Sequence, residues 1–460
     1  MKLILKLLRY LLFVLGGLLA IIIVFLLVSI APIDRTLPQE KAFYSSMMER
    51  LDSLKGELQK KPLHQFKVGF AVENLTPSYK TATAGYGNRR GKLYSSVRDS
   101  IQVRCLVIDN GAERIAIVSA DLLIIPPTVT AILEPKLKAI GFDLDHTYLG
   151  AIHSHNSIGN WAKGATSFIY GAYDEKIVEI IANQIVKSIQ AASKHTVLAK
   201  VKAGQIPVNA VRNRLDKVHG KVDSLLRVIT IEREDHVKLA LLTYTGHATC
   251  LFSRDLSLSR DYPGLVVDTL EEHGFDFAMF MAGAVGSHGC APPAFGEDCI
   301  TWVAEEIVSK FESHQTQLET VNDSSLFMYR TKLMLGEPQV KISKDWRIRP
   351  WLFRAAFGEY PVYLTALRIG DVVMIGTPCD FSGALDEPLD AVASLQDDRL
   401  VITSFNGGYI GYITDDQYYD SDHYETRLMN WYGPGNGSYF SACLRKLIIA
   451  MQHHENSFQP

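Results

Sequence analysis

The chain has 460 residues, with 47 Lys+Arg against 50 Asp+Glu, a formal charge of −3 and 47% hydrophobic residues. That composition excludes a disordered chain, a collagenous one and a disulfide-stapled miniprotein. A near-neutral chain without a basic stripe has no electrostatic footprint for a nucleic-acid backbone, so no nucleic-acid partner is expected.

The apolar residues concentrate at the N-terminus. Across 10–31 no side chain is charged, and a helix of that length, at about 1.5 Å per residue, matches the roughly 30 Å hydrocarbon core of a bilayer. Ser29-Ile30-Ala31 loosely resembles a signal-peptide cleavage site, but the apolar run is long for a signal peptide and Pro32 follows directly, which favours an uncleaved transmembrane helix. Lys2, Lys6 and Arg9 precede the span, while Asp34 and Arg35 nearly cancel after it. The positive-inside rule then keeps a basic tail, 1–9, cytoplasmic and exports the rest to a periplasmic, extracellular or lumenal space. Within a polar linker, 32–65, the residues Phe43, Met47, Leu51, Leu54 and Leu58 recur three or four apart, predicting an amphipathic helix. It either lifts the exported domain off the membrane or packs on it.

From 66 to 460 strand-like and helix-like runs alternate without a low-complexity tract. Strands are predicted over 101–108 and 114–119, turning at Asn110-Gly111, then a helix over 129–140 and a strand over 147–152. A long amphipathic helix follows over 175–193. Next come strands over 225–232 and 237–245, a helix over 262–272, and a glycine-rich loop from 278 onward. A further pair, 362–369 and 372–375, turns through Gly370-Asp371. This order predicts an α/β fold with mixed β-sheets and flanking helices, preceded by one transmembrane helix. Six cysteines do not make a framework. Cys290 and Cys299 bracket one loop and could pair outside the cytoplasm, or all six could remain buried thiols. His453-His454-Glu455 reads as a solvated tail.

His153-Ser154-His155 follows the strand predicted over 147–152. Residues two apart on an extended segment share a face, so both imidazoles could converge on one centre, or one could bind while the other hydrogen-bonds nearby. His247 also closes a strand, where sites are commonly assembled, although a lone histidine there also reads as structural. Pro378-Cys379-Asp380-Phe381 places an acid at a loop entrance or at a helix N-cap. Tyr409, Tyr412, Tyr418, Tyr419, Tyr424 and Tyr432 lie among Asp415, Asp416, Asp420, Asp422 and His423. That mixture is too polar for a core and suggests a wet cavity, or an exposed aromatic surface for lipid or glycan.

In order along the chain, these pieces resemble the catalytic domain of the neutral/alkaline, non-lysosomal ceramidase family. The resemblance rests on Val68-Gly69-Phe70-Ala71, Gly85-Tyr86-Gly87, Ser119-Ala120-Asp121, His153-Ser154-His155 and Asn213-Arg214. It continues through Ser259-Arg260-Asp261-Tyr262-Pro263-Gly264, Pro378-Cys379-Asp380-Phe381, Tyr409-Ile410-Gly411-Tyr412-Ile413-Thr414, His423-Tyr424-Glu425 and Tyr432-Gly433-Pro434. The sequence ends soon after the last, so the family's immunoglobulin-like C-terminal domain is expected to be absent.

The resemblance implies a zinc-dependent amidase that cleaves the N-acyl bond of ceramide to a sphingoid base and a fatty acid. It implies Zn2+ held by His153, His247, Asp380 and Tyr412, with His155, Arg214 and Tyr424 on the substrate side. Three or four N and O ligands leave a position for water, whose pKa zinc lowers towards about 7. Arg214 or His155 would stabilise the oxyanion, and Tyr424 or His155 would help to protonate the leaving amine. An anchored enzyme would meet a ceramide-like lipid within the membrane itself.

Three departures qualify that implication. Asp380 stands where the family has Glu. Gly286-Ser287-His288-Gly289-Cys290 replaces a Gly-Asp-x-Ser-Pro segment, so its serine position falls on Gly289. Asn156-Ser157-Ile158-Gly159 replaces a Ser-Gly-Pro. Two alternatives stay open: the same metal site hydrolysing another amide or ester, and a non-catalytic relative that binds lipid or glycan.

Overall fold

The structure is a computed structural model describing residues 2–54 and 63–452. His453-His454-Glu455 and the end of the predicted linker helix, including Leu58, lie outside the described residues.

Eight strands form the path of the larger sheet: β1 Lys67–Asn74, β2 Gln102–Asp109, β3 Arg114–Ala120, β4 Thr147–Ala151, β5 Val197–Pro207, β6 Leu225–Arg233, β7 Lys238–Tyr244 and β8 Phe277–Ala282. Their order is β8-β7-β6-β5-β1-β2-β3-β4, and a short ninth strand, Glu319–Thr320, joins β5. β3 and β4 are parallel, as are β7 and β8, while the pairs between them are antiparallel. A parallel pair needs a crossover, and each has a helix in that role: Pro127–Lys138 between β3 and β4, Asp261–Glu272 between β7 and β8. The sheet curls so that its ends meet, with the Ser119 hydroxyl donating to the Phe280 carbonyl at 2.5 Å.

A second sheet has the order β9 Leu326–Lys332, β10 Tyr363–Ile369, β11 Val372–Gly376 and β12 Arg399–Thr403. Its last pair is again parallel, bridged by the helix Glu387–Ser394. The sheets face each other through Val68, Ile117, Tyr148, Ile229, Leu367 and Met374, all essentially without exposure. Helices cover the outer faces: Glu175–Ser193 buries Ile177, Ile181, Ile185 and Ile189, the stripe its periodicity predicts. The carboxyl ends of all three parallel pairs therefore point into one region, the place where open α/β sheets characteristically hold ligands.

The predicted mixed sheets with flanking helices are present, with three differences of detail. The loop expected from 278 onward begins only at Gly283; Phe277–Ala282 form β8, whose every side chain is buried. An apolar run buried on both faces of a parallel pair lacks the alternation by which strands are read. The N-terminal helix runs Lys2–Ser29, long and apolar enough to cross a membrane, with its large apolar side chains exposed. It stops short of Ala31 because Ile30–Pro32 pairs antiparallel with Trp346–Ile348. Finally, Cys299 pairs with Cys250, while Cys290 is a buried free thiol. Cys290 lies on the short strand His288–Cys290, which is held against Val211–Asn213.

Of the two readings of the linker helix, packing is the one seen. Ala42–Asp52 buries Met47 and Leu51 completely, and the Phe43 ring meets Tyr439 of the helix Asn436–Ala450 at 5.4 Å.

Candidate metal centre

The histidines and the acid of the site follow the carboxyl ends of strands in parallel pairs. His153 and His155 come after β4, His247 after β7, Asp380 after β11. Asp380–Phe381 then pairs in parallel with Tyr412–Ile413, which brings Tyr412 alongside.

His153 has φ 64°, a left-handed conformation unusual for a residue with a Cβ. The convergence of His153 and His155 therefore does not come from strand alternation, which stops at Ala151, but from a backbone reversal held by the His153 N–H donating to Leu122 O at 3.0 Å. Such conformations persist only where surrounding contacts fix them, and they concentrate at functional sites. Arg89, buried, donates to the carbonyls of Ala84 and His155 and to Asn156 Oδ1, clamping the second half of the loop. The loop after His247 is held by Asp261, whose Oδ2 accepts from Cys250 N at 3.1 Å and Leu251 N at 3.3 Å, and by the Cys250–Cys299 disulfide.

Three imidazole nitrogens converge: His153 Nε2 is 2.9 Å from His247 Nε2 and 3.2 Å from His155 Nε2, with 3.1 Å between the latter two. Burial is the main cause holding His155 and His247 well below the usual histidine range, reinforced by His153, Arg89 and Arg214 around them. Neutral imidazoles are what a metal requires. His153 Nδ1 lies 2.7 Å from Leu123 O and His247 Nδ1 lies 3.3 Å from Val285 O. A carbonyl only accepts, so the His153 ring carries its proton on Nδ1 and turns a bare Nε2 inward, whereas His247 Nδ1 faces both the Val285 carbonyl and the Arg214 guanidinium, at 3.5 Å. His155 Nδ1, in contrast, is buried without a partner among the described residues.

Asp380 adds a fully buried carboxylate. Tyr409 donates to its Oδ2 at 2.7 Å, while Oδ1 has no donor among the described residues and sits 3.3 Å from His153 Nε2 and 4.0 Å from His247 Nε2. Tyr412 OH lies 3.4 Å from His247 Nε2. Lone pairs that face one another without protons between them repel unless a cation sits among them. Ligands at tetrahedral angles and zinc–nitrogen lengths would stand about 3.3 Å apart, close to the spacing here. The cluster His153, His155 and His247 can hold a metal ion.

The backbone packs closely around Asp380. A Cβ on Gly286 would stand 2.3 Å from Asp380 O, and Gly286 N donates to Phe381 O at 2.7 Å. The substituted segment 286–290 itself holds no serine nucleophile. His288 Nε2 accepts from Asp223 N at 2.9 Å, so its proton is on Nδ1 and donated to Ser287 Oγ at 3.0 Å. A histidine that donates to a serine cannot deprotonate it. The segment instead seats Arg214, whose backbone N donates to Ser287 O and whose guanidinium donates to Gly286 O at 3.2 Å.

A cavity of about 40 Å³ opens over the cluster, enough for a water or two. His153, His155, Tyr409, Tyr412 and Tyr424 line it, with Tyr170 and Met429 at its wall. Arg214 does not line it; it reaches the His247 side of the cluster and pairs with Glu425 at 3.2 Å. Of the other tyrosines in the polar aromatic stretch, Tyr419 lies instead under Lys341 and Arg35. Sequence reasoning missed Tyr409 as Asp380's partner, Arg89 as the loop clamp, Glu425, and Phe405, which stacks on His153 at 4.1 Å. Tyr409 stands three residues before Tyr412 in a quoted motif, which is the one signal available.

No protein-family model and no curated protein matches the sequence. Among solved structures, the chain is similar to the neutral ceramidase from Pseudomonas aeruginosa, with TM-score 0.73, 18% identity, and coverage of 84% of this chain and 74% of that one. It is also similar to a ceramidase complexed with C2, at TM-score 0.71 with the same identity and coverage. The chain therefore has the neutral ceramidase fold.

Proposed function

We propose that the protein is a membrane-anchored, zinc-dependent amidohydrolase that cleaves the N-acyl bond of ceramide or a related N-acyl lipid, releasing a fatty acid and an amine. The observation that carries this reading is the convergence of three imidazole nitrogens and a carboxylate oxygen, without a donor among the described residues, under a tyrosine-lined cavity, on a fold similar to ceramidases.

His153, His247, Asp380 and Tyr412 would hold the zinc. The two histidines have their outer nitrogens tied to carbonyls, the usual arrangement around a ligating imidazole; His155 does not, which suits a group that faces substrate. When bound, zinc supplies a Lewis acid and lowers the pKa of a water. His155 and Tyr424 line the cavity, where they would meet the amide and pass a proton to the departing nitrogen. Arg214, fixed by Glu425 and Gly286 behind His247 and Tyr412, would favour negative charge developing on the carbonyl oxygen through its field rather than by contact.

The exposed apolar helix Lys2–Ser29 would span the membrane with Lys2, Lys6 and Arg9 on the cytoplasmic side. The Cys250–Cys299 bond fits an oxidising, exported location for the domain.

The test uses the full chain in detergent or nanodiscs. Zinc content is measured in wild type and in His153→Ala and His247→Ala, and fatty-acid release is compared across ceramide, N-acyl amino acids and simple esters. The reading predicts about one zinc per chain, lost in both variants, and preferred cleavage of ceramide. A metal-free wild type of unchanged fold, or preference for an ester, would refute it.

A further inference from the structure

The N-terminal helix is not joined to the domain by a free tether. Trp351 Nε1 donates to Val28 O at 2.7 Å, Arg349 N donates to Ser29 O at 2.7 Å, and Arg349 Nε donates to Ile30 O at 3.1 Å. The Trp351 ring meets Phe25 of the helix edge-on at 6.5 Å. Beside this joint lies an apolar groove of about 500 Å³ between Leu26, Leu27 and Ile30 on one side and Ile342, Trp346 and Arg349 on the other. Trp346 and Trp351 are 49% and 45% exposed. Half-exposed tryptophans with arginines at the end of an apolar span are the composition of a membrane–water interface.

Trp351 opens a short helix, Pro350–Phe357, that runs from this joint towards the aromatic residues beside the metal centre. From Trp351 at its start to Phe357 at its end it advances about 9 Å. Phe357 meets Trp431 at 5.0 Å, and Trp431 meets Tyr409, the partner of Asp380, at 5.3 Å. A row of packed rings therefore joins the end of the apolar helix to the residues beside the cavity.

We infer that residues 342–357 form a shelf that lies in the bilayer interface, so that the domain sits flat on the membrane and a lipid passes along it into the cavity without leaving the leaflet. The bilayer is the partner. The groove receives acyl chain while Arg349 and Arg347 meet headgroup phosphate. This rests on reading 10–31 as a span and the site as a lipid amidase.

Of the chain's five tryptophans, Trp161 and Trp431 are buried and Trp302 packs on the core. The full chain in vesicles of lipid brominated near the headgroup should therefore lose fluorescence mainly through Trp346 and Trp351, and the W346F/W351F double variant should lose most of that quenching. Equal quenching in wild type and variant overturns the shelf. In parallel, Trp346→Glu should slow cleavage of a long-chain N-acyl sphingosine embedded in vesicles roughly tenfold while leaving a soluble short-chain amide unaffected; equal slowing of both overturns it too. The expected quenching in a chain that hydrolyses neither substrate supports the shelf and counts against the catalytic reading alone.

Discussion

Tyr409→Phe separates a metal site from a merely polar cavity. The substitution removes one oxygen and leaves the ring, which packs on Trp431 at 5.3 Å and Phe405 at 6.3 Å. Burial, then the neighbouring Asp380 charge, holds the Tyr409 hydroxyl well above the usual phenol range, so it remains a donor at any working pH. Among the described residues Asp380 Oδ1 already lacks a donor, and loss of the 2.7 Å bond to Oδ2 leaves the buried carboxylate without one. A hydrogen bond to a charged group contributes about 1.5–3 kcal/mol. Second-layer partners of metal ligands typically change affinity by about 10–100-fold, or about 1.4–2.7 kcal/mol. Zinc affinity measured by competition against a chromophoric chelator should therefore weaken by about that factor, with the thermal midpoint of the metal-free chain little changed. Identical zinc affinity in wild type and variant would refute the assignment of Asp380 as a ligand.

Tyr424→Phe, in the same cavity but not hydrogen-bonded to Asp380, should lower the turnover number without changing zinc content; loss of zinc in this variant would move Tyr424 from substrate to metal. Gly289→Ala brings a Cβ to 3.0 Å from Arg214 Cδ, so Arg214 must give by a few tenths of an ångström and turnover should fall, by well under the roughly 100-fold that a 1 Å misplacement costs; a larger loss in steady-state turnover would refute so small a displacement. Burial holds His288 down to about 4, against about 6.5 unfolded. Between those values the unfolded chain binds more protons, so the His288 contribution is complete above about pH 6.5 and falls by about 3 kcal/mol as pH drops to 4. Denaturant melts of His288→Gln should lose that part of the acid slope, and an unchanged slope would count against it. Removing the Cys250–Cys299 bridge as a paired serine variant frees a loop spanning 49 positions, a loss of up to about 4 kcal/mol on the chain-entropy argument; the thermal midpoint reads it, and an unchanged midpoint would show that the bridge does not form in solution.

What local sequence carried, it carried because the physics is local. A 22-residue uncharged run (10–31) can be read from composition, and the Glu175–Ser193 helix from a single 3.6-residue period. The hairpin at Asn110-Gly111 follows from a turn that needs φ > 0, with Gly111 at 84°. The central strand β5 is legible in hindsight, since exposed Lys200 and Lys202 alternate with buried Val201 and Ala203, but alanines and Gly204 dilute its period. β8 was not legible, because a strand buried on both faces shows no period at all.

The site divides in the same way. The histidines, the acid and the tyrosines could be named from motifs in order along the chain, since each chemistry needs its residue type. Their assembly could not. Three parallel strand pairs aim their carboxyl ends at one point, His153 gains its direction from a left-handed backbone, and Tyr409 finds Asp380 across 29 residues while Arg89 finds the His155 carbonyl across 66. The choice of Cys250 over Cys290 for Cys299, and the docking of the apolar helix onto Trp351, were likewise settled by packing. Such contacts join segments whose separation in sequence carries no periodic or compositional trace, so only the tertiary structure could decide them.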